Sequence, residues 1–306
     1  MTYSLSYNLI QKSEATKQYR DLKDKCYNIL MIGDVVGRPG RTILKKTLPF
    51  LKNFFNIHFT TLNGENLAGG FGITEKIFHE ILDLGIQAIT LGNHWNDKVD
   101  IHNIKHRREI ILPQNIYSKS YLDIPEIYDE KHKKSIHIIN LLGKFAMSGD
   151  YSNPFDFLKK SYDTLKTLSL SSDAILIADI HAEASSEKQA IACYLDGILN
   201  AMIGTHTHVP TSDERLSDRQ TAYLTDIGMT GAYDSIIGMD SQNILKKFFD
   251  QEKKPFCVAK NDPWLNAFLV QVDNSSGLSL ACHRIQYREK TDFLSISSLS
   301  KSELTS

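Results

Sequence analysis

His206 and His208, two histidines separated by one residue, are the side chains whose type and spacing point most directly to metal chemistry. They follow a short apolar segment, 201–203, and a glycine, which predicts that they lie at the end of a β-strand. Side chains two residues apart in a strand point to the same face, so both imidazoles would point the same way. Two converging neutral imidazoles form half of a site for a first-row transition metal. Taken alone, the pair fits surface or hydrogen-bonded histidines equally well.

Further potential ligands come at or just after the ends of other predicted strands. Apolar segments predict these strands at 28–32, 58–62, 88–91 and 173–179. The carboxylate, amide and imidazole groups that follow them are Asp34, Glu65, Asn93, His94 and His181. Each residue taken singly is explained by a turn, a helix cap or a solvated loop. In an open α/β sheet ligands gather at the carboxyl ends of the strands, so the coincidence of all these groups there favours one site.

The size of this set of groups favours two metal ions over one. A tetrahedral catalytic site needs only about three protein ligands. A bridging carboxylate with two sets of ligands holds two ions ~3.5–4 Å apart, the usual arrangement for hydrolysis of phosphoesters, where the ions generate hydroxide from water. The cysteines are far apart, so the ligands must be nitrogen and oxygen. Such a set suits divalent or trivalent iron, manganese or zinc without distinguishing among them.

Composition excludes some classes of function. The chain has 306 residues, of which 42% are hydrophobic and 23% charged, as in ordinary globular proteins. The formal net charge of -1 supplies no global basic field, so charge does not support RNA as a partner. Four scattered cysteines favour a reducing compartment. No signal-peptide pattern and no apolar segment of ~20 residues is found, which predicts a cytoplasmic protein without a membrane partner.

The elements that must position these groups alternate between strand and helix. Helical patterns follow the first two strands, and Pro49 is expected to end or kink the first helix. Further strands are predicted at 135–142, 200–203 and 223–225, and further helices at 154–168, 185–195 and 243–249. After Pro255 the pattern changes to antiparallel strands, predicted at 256–259, 267–272 and 278–285. The chain is therefore expected to be an α/β protein with a β-rich C-terminal part.

The expected organisation is one domain with extensions at both ends. Residues 1–26 are polar and charge-rich, and are interpreted as an N-terminal extension. The domain is predicted over residues 27–288, with a less regular insertion near 105–130. Residues 289–306 are serine-rich and are predicted to be a flexible C-terminal tail.

Together the motifs resemble the calcineurin-like metallophosphoesterases and, more closely, the YmdB-type family of bacterial phosphodiesterases. The segments that carry the resemblance are 32–40, 63–66, 69–74, 92–94, 181–184, 204–209 and 225–231, in family order. There are two departures from the family patterns. Val35 and Val36 follow Asp34 where the wider superfamily has Asp-x-His, and the family's Thr-Trp-Asp is Trp95-Asn96-Asp97 here. Because of the second departure, the residues that contact the substrate near His94 cannot be assigned from the family pattern.

The resemblance implies a role for each matching residue. One metal would be held by Asp34, Glu65 and His208. The other would be held by a bridging Glu65 together with Asn93, His181 and His206. Asn66 would lie beside the first metal, and His94 would protonate the leaving oxygen or steady the phosphate.

The resemblance also implies a fold and an activity. The fold would be two packed mixed β-sheets flanked by helices, a metallophosphoesterase-like α/β/β/α sandwich, and homo-oligomers would be common. The activity would be hydrolysis of a small phosphodiester, such as a 2′,3′- or 3′,5′-cyclic nucleotide, with two metal ions. Gly69 and Gly70 would let the backbone approach the substrate closely, although a tight loop explains them equally well. Phe71, Trp95, Tyr233 and Trp264 are candidates for contacts with a base, although packing is the simpler explanation for each.

Two alternatives remain open at this point. A binuclear amidohydrolase would use similar ligands, but those barrels usually place His-x-His on the first strand, whereas here it comes late. The second alternative is a metal-dependent regulator that binds a nucleotide with little turnover. The full ligand set and His94 argue against an inactive site.

Overall fold

The computed structural model describes residues 22, 24–116, 124–251, 255–291, 293–297 and 299–300. Most of the predicted N-terminal extension lies outside these residues, as does part of the predicted insertion. Within the described part of the chain, none of the helices has both the length and the apolar character needed to cross a membrane.

The elements follow the predicted alternation. In chain order, the strands are β1 (Cys26–Ile32), β2 (Phe59–Asn63), β3 (Ala88–Thr90), β4 (Ile110–Ile111), β5 (Glu126–Asp129), β6 (Lys134–Leu142), β7 (Ala174–His181), β8 (Ala201–Thr205), β9 (Arg215–Leu216), β10 (Ala222–Leu224), β11 (Gly231–Ala232), β12 (Pro263–Asp273), β13 (Ser279–Arg288), β14 (Phe293–Ile296) and β15 (Leu299–Ser300). The α-helices are α1 (Gly37–Phe54), α2 (Glu75–Asp83), α3 (Ile101–Ile104), α4 (Pro154–Leu168), α5 (Ser185–Tyr194) and α6 (Ser241–Phe249).

Two mixed sheets form from these strands. The first has the order β14-β13-β12-β1-β2-β3-β4, with β11 paired to β12 and β15 paired to β13. Its β1, β2, β3 and β4 are parallel, whereas β12 runs antiparallel to β1 and starts an antiparallel half. The second sheet has the order β5-β6-β7-β8-β10-β9, in which β6, β7, β8 and β10 are parallel. The carboxyl ends of the parallel strands in each sheet therefore meet at one edge.

Successive side chains of a strand point to opposite faces of the sheet, so both faces of each sheet are packed and the fold has four layers. Ile29 and Met31 of β1 face the second sheet and pack with Ile175 and Ile177 of β7. The intervening Leu30 faces the opposite way, toward a core shared with α1 and α2. A third core lies between the second sheet and the helices α4 and α5. The predicted fold class, two packed mixed sheets flanked by helices, is confirmed.

Pro49 does not end the first helix, so the prediction that the helix ends there is wrong. Helix α1 runs from Gly37 to Phe54 with Pro49 inside it. The proline is exposed, while the neighbouring Leu48 and Leu51 are buried against the first sheet. Proline on the solvent side leaves the unpaired carbonyl of the preceding turn open to water, so packing of the opposite face outweighs the lost hydrogen bond.

Two boundaries near the C-terminus also differ from the predictions. Part of the predicted flexible tail is β14, which pairs antiparallel with β13 while Leu294 and Ile296 pack against the core of the first sheet. The predicted strand at 256–259 is not formed, and Val258 makes only an isolated bridge to Met239. Short segments depend on what lies beside them, since a strand without a partner edge cannot satisfy its backbone groups.

Candidate metal centre

The side chains predicted at different strand ends meet at the shared edge of the two sheets. Asp34 follows β1, Glu65 follows β2, and His181 is the last residue of β7. Asn93 and His94 follow β3, and His206 and His208 follow β8. Two groups of potential ligand atoms result, Glu65 with His181 and His206, and Asp34 with Glu65 and His208. Within each group the atoms lie within 4.8 Å of one another, and Glu65 belongs to both.

The first group is centred on Nε2 of His181. This atom lies 3.1 Å from Oε1 of Glu65, 3.0 Å from Oδ1 of Asn93 and 3.0 Å from Nδ1 of His206. A carboxylate oxygen and an amide oxygen can only accept hydrogen bonds, so at most the two imidazoles could supply protons among these atoms. Four converging electron-pair donors form a set that suits a transition-metal cation.

The other nitrogen of His181 is held by a hydroxyl relay. Thr205 donates from Oγ1 to Oδ1 of Asp179 at 2.7 Å, so the same hydroxyl must accept from Nδ1–H of His181, 2.9 Å away. Asp179 is itself buried and also accepts hydrogen bonds from Thr90 and Asn63. In the neutral imidazole this relay places the proton on Nδ1, so Nε2 is the nitrogen that can bind a metal ion.

His206 presents Nδ1 to the group and Nε2 to an acidic side chain. Its Nε2 lies 3.3 Å from Oε2 of Glu183, a half-exposed residue in the loop after β7. Burial, together with the nearby His181, lowers the pKa of His206 to about 3. The imidazole is therefore neutral near pH 7, and a proton on Nε2 directed at Glu183 leaves Nδ1 free to bind a cation.

The second group contains a buried carboxylate oxygen that lacks a hydrogen-bond partner. Asp34 is 0% exposed, and its Oδ1 makes no hydrogen bond. His208 donates from Nδ1 to the carbonyl of Ile237 at 2.9 Å, so in the neutral imidazole Nε2 is the nitrogen with a lone pair. That lone pair faces Oδ1 of Asn66 at 3.2 Å. The buried Asp34 oxygen has no hydrogen-bond donor, and a cation beside it would supply the missing partner.

The two histidines of the opening motif do not lie in a strand, which corrects the strand interpretation. Strand β8 ends at Thr205, and both histidines then adopt the left-handed region, with φ of 96° for His206 and 65° for His208. A strand would have pointed the two imidazoles to one face. The turn instead sends His206 to the group around His181 and His208 to the group around Asp34.

A buried ion pair between Lys188 and Asp226 supports this strained turn, and neither residue was predicted to have a role at the site. Asp226 accepts hydrogen bonds from the backbone N–H and hydroxyl of Thr207, at 3.3 and 2.8 Å, and from the backbone N–H of Gly228 at 2.8 Å. Lys188 of α5 donates to the same carboxylate at 2.8 Å, and both side chains are 1% exposed. The spacing of Lys188 with the buried Ile191 and Ala192 on one face of α5 was the signal that could have revealed it.

Glycines leave the space that the ligands occupy. A Cβ on Gly92 would overlap Oε2 of Glu65 and Nε2 of His181, so only glycine fits there. In the turn after Glu65, Gly70 has a positive φ and accepts a hydrogen bond from the Asn66 side chain. Gly69 also has a positive φ, but a Cβ on it would meet no atom within 4 Å. Backbone conformation, rather than close approach of another group, explains this glycine.

The charges at the site show the same demand for a cation. Burial opposes ionisation of Glu65, but the charge and hydrogen bond of His181 outweigh it and lower the pKa of Glu65 to about 2. Burial likewise disfavours the imidazolium of His181, yet the carboxylates of Glu65 and Asp34 raise its pKa to about 9. Burial raises the pKa of Asp34 to about 6. Clustered carboxylates therefore favour a positive charge among them, which is the role a bound metal ion fills.

His94 lies beside the ligands but belongs to neither group. Its backbone N–H donates to Oε2 of Glu65 at 3.0 Å, which fixes the loop after β3 against the carboxylate. Its side chain is 30% exposed, and Nδ1 lies 2.8 Å from Oδ2 of Asp97. Asp97 belongs to the segment that departs from the family pattern, so this departure still supplies an acidic partner for His94. The ring is thus oriented with Nε2 left for a substrate.

Comparison with known proteins identifies related sequences. The sequence profile of the family described as YmdB-like protein matches residues 30–285. A Bacillus subtilis (strain 168) protein named 2′,3′-cyclic-nucleotide 2′-phosphodiesterase is 40% identical over 260 residues, which cover 84% of this chain and 96% of that protein.

Solved structures show the same architecture. A hypothetical protein from Thermus thermophilus superposes with a TM-score of 0.76 at 29% identity, over 86% of this chain and 99% of that one. A protein from Mycoplasma pneumoniae described as a novel phosphatase superposes with a TM-score of 0.77 at 28% identity, over 92% of this chain and 97% of that one.

Proposed function

This chain belongs to the YmdB-like family, and from that membership we propose that it is a metal-dependent phosphodiesterase that hydrolyses cyclic nucleotides. The observation that carries the proposal is the convergence of Glu65, Asn93 and His206 on Nε2 of His181, within 3.0–3.1 Å. The similarity to a 2′,3′-cyclic-nucleotide 2′-phosphodiesterase supports a 2′,3′-cyclic nucleotide as the substrate.

Two metal ions fit the donor atoms. We assign Asp34, Glu65 and His208 to one ion, with Asn66 beside it. Glu65 would bridge to the second ion, which Asn93, His181 and His206 would complete. When bound, such ions lower the pKa of a coordinated water and neutralise charge on phosphoryl oxygens. Nitrogen and oxygen donors in this proportion suit iron, manganese or zinc.

His94 is the proposed general acid. The Asp97 carboxylate accepts from Nδ1–H and orients the imidazole, so that Nε2 is the atom that transfers a proton to the leaving oxygen. The backbone N–H of His94 donates a hydrogen bond to Glu65, which keeps His94 next to the proposed bridging ligand. A positioned acid of this kind contributes roughly 10²–10⁴-fold to the rate.

The remaining alternatives are less well supported. The two-sheet sandwich is not the barrel on which binuclear amidohydrolases place their ligands. A nucleotide-binding regulator would not need a histidine outside the ligand groups with an acidic partner. A cytoplasmic location remains our proposal, supported by four cysteines that are all free thiols. Formation of homo-oligomers stays a prediction from the family resemblance.

The test of the proposal combines metal analysis with a panel of substrates. Purified protein is expected to contain close to two equivalents of iron, manganese or zinc by elemental analysis. It should hydrolyse 2′,3′-cyclic nucleotides faster than phosphomonoesters, cyclic amides or short RNA. Binding of a nucleotide without any turnover by the metal-loaded protein would favour the regulator instead.

A further inference from the structure

A pair of phenylalanines, one half-buried and one exposed, extends outward from His94. The Phe71 ring lies edge-on to the His94 ring, with the two centroids 4.9 Å apart and the planes at 76°. The Phe256 ring follows, 5.9 Å from Phe71 and inclined at 63°. Phe71 is half-buried, whereas Phe256 is 47% exposed. The two rings therefore form an apolar wall that starts at the proposed general acid and reaches solvent.

A lysine lies over the outer ring of this wall. Nζ of Lys247, in α6, lies 3.9 Å from the centroid of the Phe256 ring. A cation at this distance is attracted to the negative face of the ring. Lys247 thus contacts the Phe256 ring from one side.

The other aromatic candidates are used in packing. Trp95 packs against the core of the first sheet. Tyr233 and Trp264 stack on one another with centroids 4.1 Å apart and planes at 10°, and the guanidinium of Arg288 covers the Trp264 ring at 4.0 Å. Among the four aromatic residues singled out in the sequence, Phe71 has a ring that contacts a proposed catalytic side chain.

The chemistry of the proposed substrate explains why an aromatic wall would stand here. In a nucleoside 2′,3′-cyclic phosphate that opens at the 2′ position, the leaving oxygen is on C2′ and the base is on the neighbouring C1′. The base therefore stays within a few bonds of the atom that His94 protonates. A ring that touches the His94 ring lies where that base can reach it.

We infer that Phe71 and Phe256 form the surface on which the base of a nucleotide substrate stacks. The inference rests on the proposed function, since it places the base from the position of His94. Phenylalanine offers no hydrogen bond to a base edge, and stacking tolerates any base because every base has a π-face. The enzyme should therefore require a base but discriminate little among the four.

The test compares a substrate that has a base with one that does not. Adenosine 2′,3′-cyclic phosphate and methyl riboside 2,3-cyclic phosphate carry the same reacting group. Stacking on an aromatic side chain changes binding by roughly tenfold or more per base. Phe71→Leu should therefore raise KM for the adenosine substrate about tenfold with little change in kcat, and leave KM for the methyl riboside unchanged. Phe256→Leu, a change at an exposed side chain that should not prevent folding, is expected to act in the same direction but less.

A matched control separates this effect from the general loss of a phenylalanine. Phe293→Leu alters a residue of similar exposure, 39%, on β14, outside the proposed site. It should leave the ratio of kcat/KM between the two substrates at the parent value. If Phe71→Leu lowered kcat/KM equally for both substrates, the ring would act on His94 rather than on the base, and the inference would be wrong. If Phe71→Leu left kcat/KM for both substrates at the parent values, the inference would also be wrong.

Failure of the proposed function would give a different result. The metal-loaded parent would then hydrolyse neither cyclic phosphate. Calorimetric titration with adenosine 3′-phosphate and with methyl riboside 3-phosphate would test the stacking surface in that case. Tighter binding of adenosine 3′-phosphate that disappears in Phe71→Leu supports the surface, and equal binding of the two ligands by the parent rejects it.

Discussion

Two groups of buried charges share the segment that follows β8, and they are balanced in different ways. Around Asp226, the ammonium of Lys188 and donors from Thr207 and Gly228 satisfy the carboxylate within the protein. Around Glu65, carboxylates, an amide and imidazoles meet with few protons to share, and Oδ1 of Asp34 has no hydrogen-bond partner.

The difference separates support from binding. A carboxylate with a complete set of donors makes no demand on a ligand, so Asp226 can stabilise the turn permanently. A cluster whose carboxylates lack a full set of hydrogen-bond donors carries an electrostatic cost, which a cation of suitable geometry relieves. A polar group left unsatisfied in one place thus points to a ligand, while a satisfied one nearby points to architecture.

The largest effect should come from the carboxylate shared by both ligand groups. Glu65→Gln should remove both metals and nearly all phosphodiesterase activity, because an uncharged bridge cannot balance two cations. Elemental analysis and kcat/KM measure the two losses. His94→Ala is the matched variant, which should keep both metals and lose roughly 10²–10⁴-fold in kcat. A metal-reconstituted Glu65→Gln protein as active as the parent would refute the bridging role.

Loss of the ion pair between Lys188 and Asp226 should mainly lower the free energy of unfolding. Lys188→Met removes one partner and leaves the Asp226 carboxylate buried without its counter-charge, which typically destabilises by ~3–5 kcal/mol. Urea denaturation of the metal-free protein measures this. Adding Asp226→Asn should recover part of the loss, because the buried charge is gone. A single variant as stable as the parent would show that the pair is not a structural support.

Removal of a charge from the ligand cluster should not lower the stability of the metal-free protein, in contrast to the loss of Lys188. Asp34→Asn replaces a carboxylate whose Oδ1 has no partner with a neutral amide of the same shape. The metal-free variant should be as stable as the parent or more stable by ~1–2 kcal/mol, since less charge is buried. Its metal content should fall, as measured by elemental analysis. Destabilisation comparable to that of Lys188→Met would remove the contrast between the two regions.

The smallest effect concerns a buried group outside both regions. Burial lowers the pKa of His283 to about 4, below its ordinary value near 6.5, although the Ser297 carbonyl opposes the shift. The unfolded chain therefore binds the proton more tightly, so this contribution to stability is full above pH 6.5 and is lost as the pH falls toward 4. Between pH 7 and 5.5 it should decrease by ~1 kcal/mol. Urea denaturation of the metal-free parent and of His283→Asn at pH 7 and pH 5.5 measures this contribution. If the free energy of unfolding fell equally in the two proteins, His283 would not be its source.

Much of the fold was predictable because its signals are local. Helix α4 has the predicted bounds, 154–168, since Pro154 follows the cap residue Asn153 and a regular apolar stripe runs through the helix. The extent of β14 was not predictable, because a short serine-rich segment becomes a strand only where β13 offers an edge. Pro49 was misjudged for a related reason, since only the fold shows that it faces solvent.

The candidate site divides in the same way. That donor side chains such as Asp34, Glu65 and His181 lie at the ends of strands could be predicted from the sequence, since strand ends are marked by a change from apolar to polar residues. Their roles as ligands stay a prediction. Lys188 and Asp226 could not be paired from the sequence, because 38 residues separate them and nothing local links a helix face to a distant turn.

The sequence by itself determined which donor atoms this protein can offer and at which strand ends they stand. Residue type and a period of two are properties of short segments, and they need no partner to be read. Only the tertiary structure decided how His206 and His208 are divided. Their positive φ angles depend on hydrogen bonds from the turn to Asp226 and on its pairing with Lys188. Those contacts join segments far apart in the chain, so no local pattern could contain them.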